Sequence, residues 1–227
     1  MGSREIGNLS TTGRKRALRA AASPRRQERT EITRTRLLQS AEKVFARDGF
    51  EAAKLEEIAA DAGYTRGAFY ANFESKEDLF FALVEKEITA RIASLAKEMD
   101  KQRDPEAKLL AMRDFFLSKT LDRRWCLLAL EFKLFAVRHP EVKERLAAMN
   151  RRLVGPRVGF LEETMKALGR EMPASAHATG MSLAALSNLL TLEHMVDPTL
   201  MSEGDVKRIM SRFFESLTST PKKKSGK

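Results

Sequence analysis

The chain has one cysteine, Cys126, among 227 residues. A single thiol builds no disulfide framework, and it shares no metal-ligand spacing with His139, His177 or His194, the only histidines. Glycine (12) and proline (7) are sparse, and no run of β-branched residues occurs, which disfavours a sheet-rich chain and points to an all-helical one. No apolar stretch is long and uncharged enough to span a bilayer, and residues 1–22 lack the apolar centre of a secretory leader. A reducing cytoplasm is the expected compartment, with no membrane partner. There is no phosphate-binding loop, internal repeat or Ser/His/Asp motif, so neither an enzyme nor a metal or cofactor site is expected.

What the chain does have is positive charge, unevenly placed. Of the net +10, residues 1–36 carry +7 and the last nine, STPKKKSGK, carry +4, leaving the interior near neutral. Basic tails around a near-neutral body favour arms flanking a specific reader of nucleic acid. Residues 1–30 lack a sustained apolar period and read as a disordered basic arm able to follow a phosphate backbone. Residues 219–227 read as a basic tail that serves solubility.

The informative stretch is KLEEIAADAGYTRGAFYANF, residues 54–73. Leu55, Ile58 and Ala59 give one apolar face to a helix of about two turns. Gly63 follows where a turn needs positive φ. Thr65 is placed to cap a second helix, and Phe69 and Phe73, four apart, anchor that helix from within. Helix, glycine-containing turn, second helix is the DNA-binding helix-turn-helix order. The outer inventory suits a groove: Arg66 can bond guanine twice, Gly67 admits close backbone approach, and Thr65, Tyr70 and Asn72 can reach phosphates. An ordinary surface hairpin has the same spacing.

Residues 31–86 add further pattern. Phe45, Gly49 and Phe50 precede Glu57-Ile58-Ala59 and Ala62-Gly63; Thr65, Gly67, Phe69, Tyr70, Phe73, Lys76, Glu77 and Leu79 follow in order. Over this stretch, about a quarter of the chain, the sequence resembles the DNA-binding domain of the tetracycline-repressor (TetR) family. Lys54, Tyr64 and Asn72 depart from the family pattern, which bears on the operator sequence and not on the fold. The resemblance implies an N-terminal three-helix helix-turn-helix domain over 31–78 and a C-terminal helical effector-binding and dimerisation domain over 79–218. It implies DNA contacts from Lys54, Tyr64, Thr65, Arg66, Gly67, Ala68, Tyr70, Asn72 and Lys76. Lys76 opposes the dipole of the helix that Ser75 caps, which points to a phosphate there.

Helix 1 is expected from about Thr30 or Thr33 to DGF at 48–50, with Gly49 as a left-handed stop. A long helix over 75–101 would couple the reader to everything downstream. Residues 122–138 are apolar nearly all round, hence central. The next helix runs from Pro140 to about Leu168, kinked at Pro156. The family resemblance assigns dimerisation to helices near 174–196 and 203–217, with His194 as a dimer contact. An apolar or amphipathic effector pocket is expected from Phe116, Trp125, Leu128, Glu131, Phe132, Phe135, Met149 and Met165. Together these readings describe a homodimeric transcription regulator, a repressor released from a pseudo-palindromic operator by a small molecule. An activator of the same fold and a non-specific binder acting through basic tails are the alternatives.

Overall fold

The structure is a computed structural model that describes residues 24–154 and 159–219. Ten helices and no strands lie among them: α1 (Pro24–Ala52), α2 (Leu55–Asp61), α3 (Arg66–Tyr70), α4 (Lys76–Asp100) and α5 (Pro105–Lys119), then α6 (Arg123–Arg138), α7 (Pro140–Leu153), α8 (Gly159–Ala167), α9 (Ala176–Val196) and α10 (Glu203–Thr218). Their starts follow from the sequence. Asp104, Asp122, Ser175 and Ser202 each accept a bond from a backbone N–H three residues on, satisfying a donor that the first turn leaves open. Pro105 and Pro140 stand in the first turns of their helices, where no N–H is missed.

Two apolar clusters organise the packing. The first joins the faces of α1–α3 to Leu79, Phe80, Leu83 and Val84 of α4, to Leu128, Phe132 and Phe135 of α6, and to Met149 of α7. The N-terminal helices therefore share one core with the middle of the chain. The second cluster holds Met99, Leu109, Met112, Met165, Leu183, Met210 and Phe214, where α5, α8, α9 and α10 meet the far end of α4. Helix α4 runs through both. Between α5 and α6, Leu121 takes φ 72, unusual for a branched side chain; its N–H donates to Thr191 Oγ1 at 3.1 Å, and Thr120 and Ser187 hydroxyls meet at 3.0 Å.

The expected start of α1 changes. Helix α1 begins at Pro24, so residues 24–30 of the expected arm are helical, and residues 1–23 lie outside the described residues. Thr30 and Thr33, expected near its start, lie inside it: their hydroxyls donate back to the Arg26 and Arg29 carbonyls, a bond that a helix interior accommodates. Pro156 also lies outside the described residues, and the described residues on either side of it form α7 and α8.

Gly49 breaks α1, but not as a left-handed stop: φ 76 and ψ 170 fall in a region that only glycine readily visits. A Cβ there would lie 3.3 Å from the Glu131 carboxylate. Gly49→Ala is therefore expected to lower unfolding free energy by about 1–3 kcal/mol, read as a fall in urea midpoint at unchanged m. An unchanged midpoint would mean that the break relaxes at no cost.

Candidate nucleic-acid interface and ligand cavity

The reader is assembled from short elements that need each other. Helix α2 ends in a Schellman arrangement: the Tyr64 N–H bonds the Ala59 carbonyl at 2.8 Å and the Gly63 N–H bonds Ala60 at 2.9 Å, with Gly63 at φ 78. Thr65 Oγ1 accepts from the Ala68 N–H at 3.2 Å and starts α3. Phe69 is fully buried and Phe73 nearly so, fixing the inner side of α3 on Ile58 and Ala59. Ser40 of α1 donates to the Ile58 carbonyl at 2.8 Å, locking α2 from behind.

Thr65, Arg66, Gly67 and Tyr70 are exposed on the outer side, with Ala68 half-buried between them. Arg66 is held against Glu56 of α2 at 2.9 Å and reaches toward the Tyr70 hydroxyl at 3.4 Å. Both partners are more than half exposed, so this pair holds the guanidinium loosely. Lys54, at the N-terminus of α2, is exposed and makes no side-chain cap.

Three residues expected at DNA are turned to other work. Lys76 Nζ donates to the carbonyls of Phe50 (2.8 Å), Glu51 (3.0 Å) and Ala53 (3.2 Å), and lies 4.6 Å from the Phe50 ring centroid. Its three donors close the C-terminal end of α1, where carbonyls lack helical partners. Asn72 is half-buried and donates from Nδ2 to the Ala68 carbonyl at 2.8 Å, while its backbone carbonyl accepts from Arg34 at 3.0 Å. The Tyr64 ring packs against the first core cluster, the apolar contact that commonly accompanies a Schellman end.

A cavity of about 240 Å³ lies where the two apolar clusters meet. Phe116, Trp125 and Phe132 line it as expected from sequence. Leu128, Phe135 and Met149 do not; they are buried in the first cluster, and Met165 in the second. Glu131 is also elsewhere: Oε2 accepts from the Phe50 N–H at 3.4 Å, beside the Gly49 break. Sequence reasoning missed Ile88, Ile92 and Arg91 of α4, which read as core and surface of a lever, and Met181 and Ala184 of α9. It also missed Lys133, one position from Phe132. Cys126 is buried with its thiol toward the Asn188 carbonyl at 3.1 Å, and burial pushes its pKa up, away from reactive thiolate.

A second cleft, of about 460 Å³, opens between Phe50, Lys76, Phe81, His139 and Arg145. Its cations are already engaged, Lys76 by carbonyls and Arg145 by Asp78 at 2.5 Å, and Glu51, Glu77 and Glu141 stand around it. No helix among the described residues is long and apolar enough to cross a membrane, and no group of three or more potential metal ligands is gathered among them.

The profile of the bacterial regulatory proteins of the tetR family matches residues 37–83, the stretch from α1 into α4. The repressor BepR of Brucella suis is 46% identical over 52 residues, 23% of this chain and 25% of BepR. The chain spans 17% to 37% of the length of the first curated regulators that it matches. Whole-chain likeness is structural. The fatty acid degradation regulator FadR of Bacillus halodurans superposes with a TM-score of 0.66 at 15% identity, covering 82% of this chain and 94% of that one. FadR of Bacillus subtilis, solved in complex with stearoyl-CoA, gives 0.63 at 17% identity, covering 82% and 97%. At such identities the likeness establishes the fold alone.

The three bonds of Lys76 distinguish a structural role from a phosphate contact. Lys76→Met is expected to lower stability by about 1–3 kcal/mol in urea denaturation. DNA affinity per folded molecule should stay unchanged. Weaker DNA binding at unchanged stability would return Lys76 to the interface.

Proposed function

We propose that the chain, whose residues 37–83 match the tetR family of bacterial regulatory proteins, is a member of that family and a cytoplasmic, homodimeric, sequence-specific transcriptional repressor released from its operator by a small molecule. The observation that carries the reading is the exposed face Thr65, Arg66, Gly67 and Tyr70 on a helix whose opposite side is pinned by buried Phe69, with buried Phe73 anchoring the chain just beyond it. A rigidly backed helix with an arginine near its start is fitted for base-edge contact in the major groove. Lys54 stands exposed nearby and is assigned to phosphate, with Thr65 and Tyr70 beside it.

Dimerisation is assigned to α9 and α10, which leave Leu189, Val196 and Ile209 exposed, with relative accessibilities of 51%, 74% and 41%. Two readers fixed by such an interface match half-sites about one helical turn, or a multiple of it, apart. The small-molecule site is the 240 Å³ cavity, a little smaller than the usual ligand pocket and so suited to a small ligand. Helix α4 lines that cavity with Val84, Ile88 and Ile92, and its first turn follows directly from the reader. The resemblance to named repressors such as BepR supports repression.

Selection of random duplex DNA by the purified protein at near-physiological salt, followed by sequencing, tests the specific reader. A pseudo-palindrome is the expected product; binding without enrichment would shift the activity to the basic tails. In the same assay Arg66→Ala is expected to cost about 1–3 kcal/mol and to relax preference at one base pair per half-site. An equal loss on every sequence would remove its base-reading role.

A further inference from the structure

The walls of the 240 Å³ cavity are apolar except at a few points, and those points carry one sign of charge. Arg91, Lys119 and Lys133 line it, together with the amides Asn150 and Asn188 and the hydroxyl of Ser187; no carboxylate among the described residues does. The three cations differ in what already holds them. Arg91 pairs with Asp122 and lies 4.5 Å from the Trp125 ring centroid, so its charge is offset. Its Nε is nevertheless buried with no acceptor among the described residues. Lys119 lies 5.8 Å from the Phe115 ring and has no carboxylate partner among the described residues. Lys133 is half-buried, with no hydrogen bond or ion pair among the described residues, and burial pulls its pKa down. An unpaired ammonium in an apolar wall costs free energy unless a counter-charge arrives.

We propose that the cavity binds an amphipathic anion, a single aliphatic chain of about eight to ten carbons whose carboxylate or phosphate head is taken by Lys133 with Lys119. The proposal rests on the reading of the chain as a ligand-responsive regulator, and it adds the chemical class of the ligand. Length follows from volume: a cavity of about 150 Å³ admits the six carbons of benzene, and 240 Å³ scales accordingly. The tail lies among Ile88, Ile92, Phe116, Phe132 and Met181. The opposite charge is disfavoured twice. No acidic side chain among the described residues lines the cavity, and the Arg91 guanidinium lies 4.5 Å from the Trp125 ring centroid, so a quaternary ammonium at that ring would meet a like charge.

Trp125 is the sole tryptophan and lines the cavity, so its emission reports occupancy directly. Decanoate, decyl phosphate, decanol and decyltrimethylammonium share one tail and differ in head. Titrated into the full chain, the two anions are expected to shift the emission saturably, at least about tenfold more tightly than decanol, and the ammonium not at all. The tighter of the two anions identifies the head as carboxylate or phosphate; equal affinities assign recognition to charge alone. In Lys133→Met, with Lys119 still present, decanoate should lose most of its preference over decanol while decanol is unchanged. This variant removes an unpaired cation, so it is expected to melt no lower than the parent without ligand. Decanol or the ammonium binding as tightly as the anions would overturn the proposal, as would Lys133→Met keeping the full anion preference. So would failure of both anions to bind. Operator occupancy, measured in parallel, keeps the two readings apart. Decanoate that binds without releasing DNA overturns the ligand-release reading and leaves the ligand class standing. Specific DNA binding with no anion binding overturns the ligand class alone.

Discussion

The geometry around Phe50 constrains both halves of the molecule at once. Its N–H meets Glu131 of α6, its carbonyl is the nearest of the three held by Lys76 of α4, and its ring lies 4.7 Å from Phe80 and 4.3 Å from Phe135. Gly49 makes this possible, because its backbone breaks α1 at a positive φ that a side chain would strain, with the Glu131 carboxylate close by. Phe80 in turn meets Phe45 and Phe132, and Phe81 meets Phe132 edge-on at 4.8 Å. A continuous set of aromatic rings thus runs from α1 through α4 to α6. Rings at such separations attract beyond their burial and leave little room for the reader to move independently. Ion pairs between Arg124 and Glu42 and between Arg152 and Glu85 add to the same joints at partly exposed positions, where each contributes little.

This constraint separates what the sequence reveals from what it hides. The turn at Gly63, the cap at Thr65 and the burial of Phe69 and Phe73 depend on neighbours within a few residues, so spacing alone predicts them. Caps at Ser75, Asp104, Ser175 and Ser202 are local for the same reason. Lys76 is different. Its place in a helix first turn argues for an anion, but its actual acceptors lie 23 to 26 residues upstream and gather only when α1 ends against α4. Glu131 shows the same limit at larger distance: helical periodicity puts it between apolar neighbours, and its partner is 81 residues away. Tyr64 and Asn72, departures from the family pattern, read as changes at the DNA face; both are drawn inward by local bonding instead.

The cavity was legible only in part because a helical face does not say which of its residues meet another helix closely. Trp125 and Phe132 face a gap, whereas Leu128 and Phe135 on the same helix meet α1, α4 and α7 in close contact. Half of the lining comes from α4 and α9, whose apolar periods are indistinguishable from ordinary core. The charged lining was harder still. Lys133 is a single lysine in an apolar helix, and only the absence of a partner among the described residues sets it apart from a surface residue whose stem is covered.

How occupancy of the cavity would reach DNA is a question of differential affinity, since a ligand shifts an equilibrium only by what it gains in one state over the other. Lys133 and Glu131 are two positions apart on α6, about 200° around the helix. One therefore lines the cavity while the other stands at the Gly49 break. On the proposed reading, a head group that draws Lys133 moves α6 as a body, because Phe132 between them is wedged on Phe80 and Phe81. The Glu131 bond to the Phe50 N–H is already 3.4 Å long, at the weak end of hydrogen bonding, so a shift of a few tenths of an ångström decides whether it persists. The α4 end of the same joint is held by three bonds from Lys76 and resists such a shift. The Phe50–Phe135 and Phe80–Phe132 ring contacts and the Arg124–Glu42 ion pair tie α6 to the reader, so on the proposed reading a shift of α6 carries α1 and α4 with it. For a dimer that must match two half-sites at one spacing, a small rotation of each reader is enough to lose the second contact.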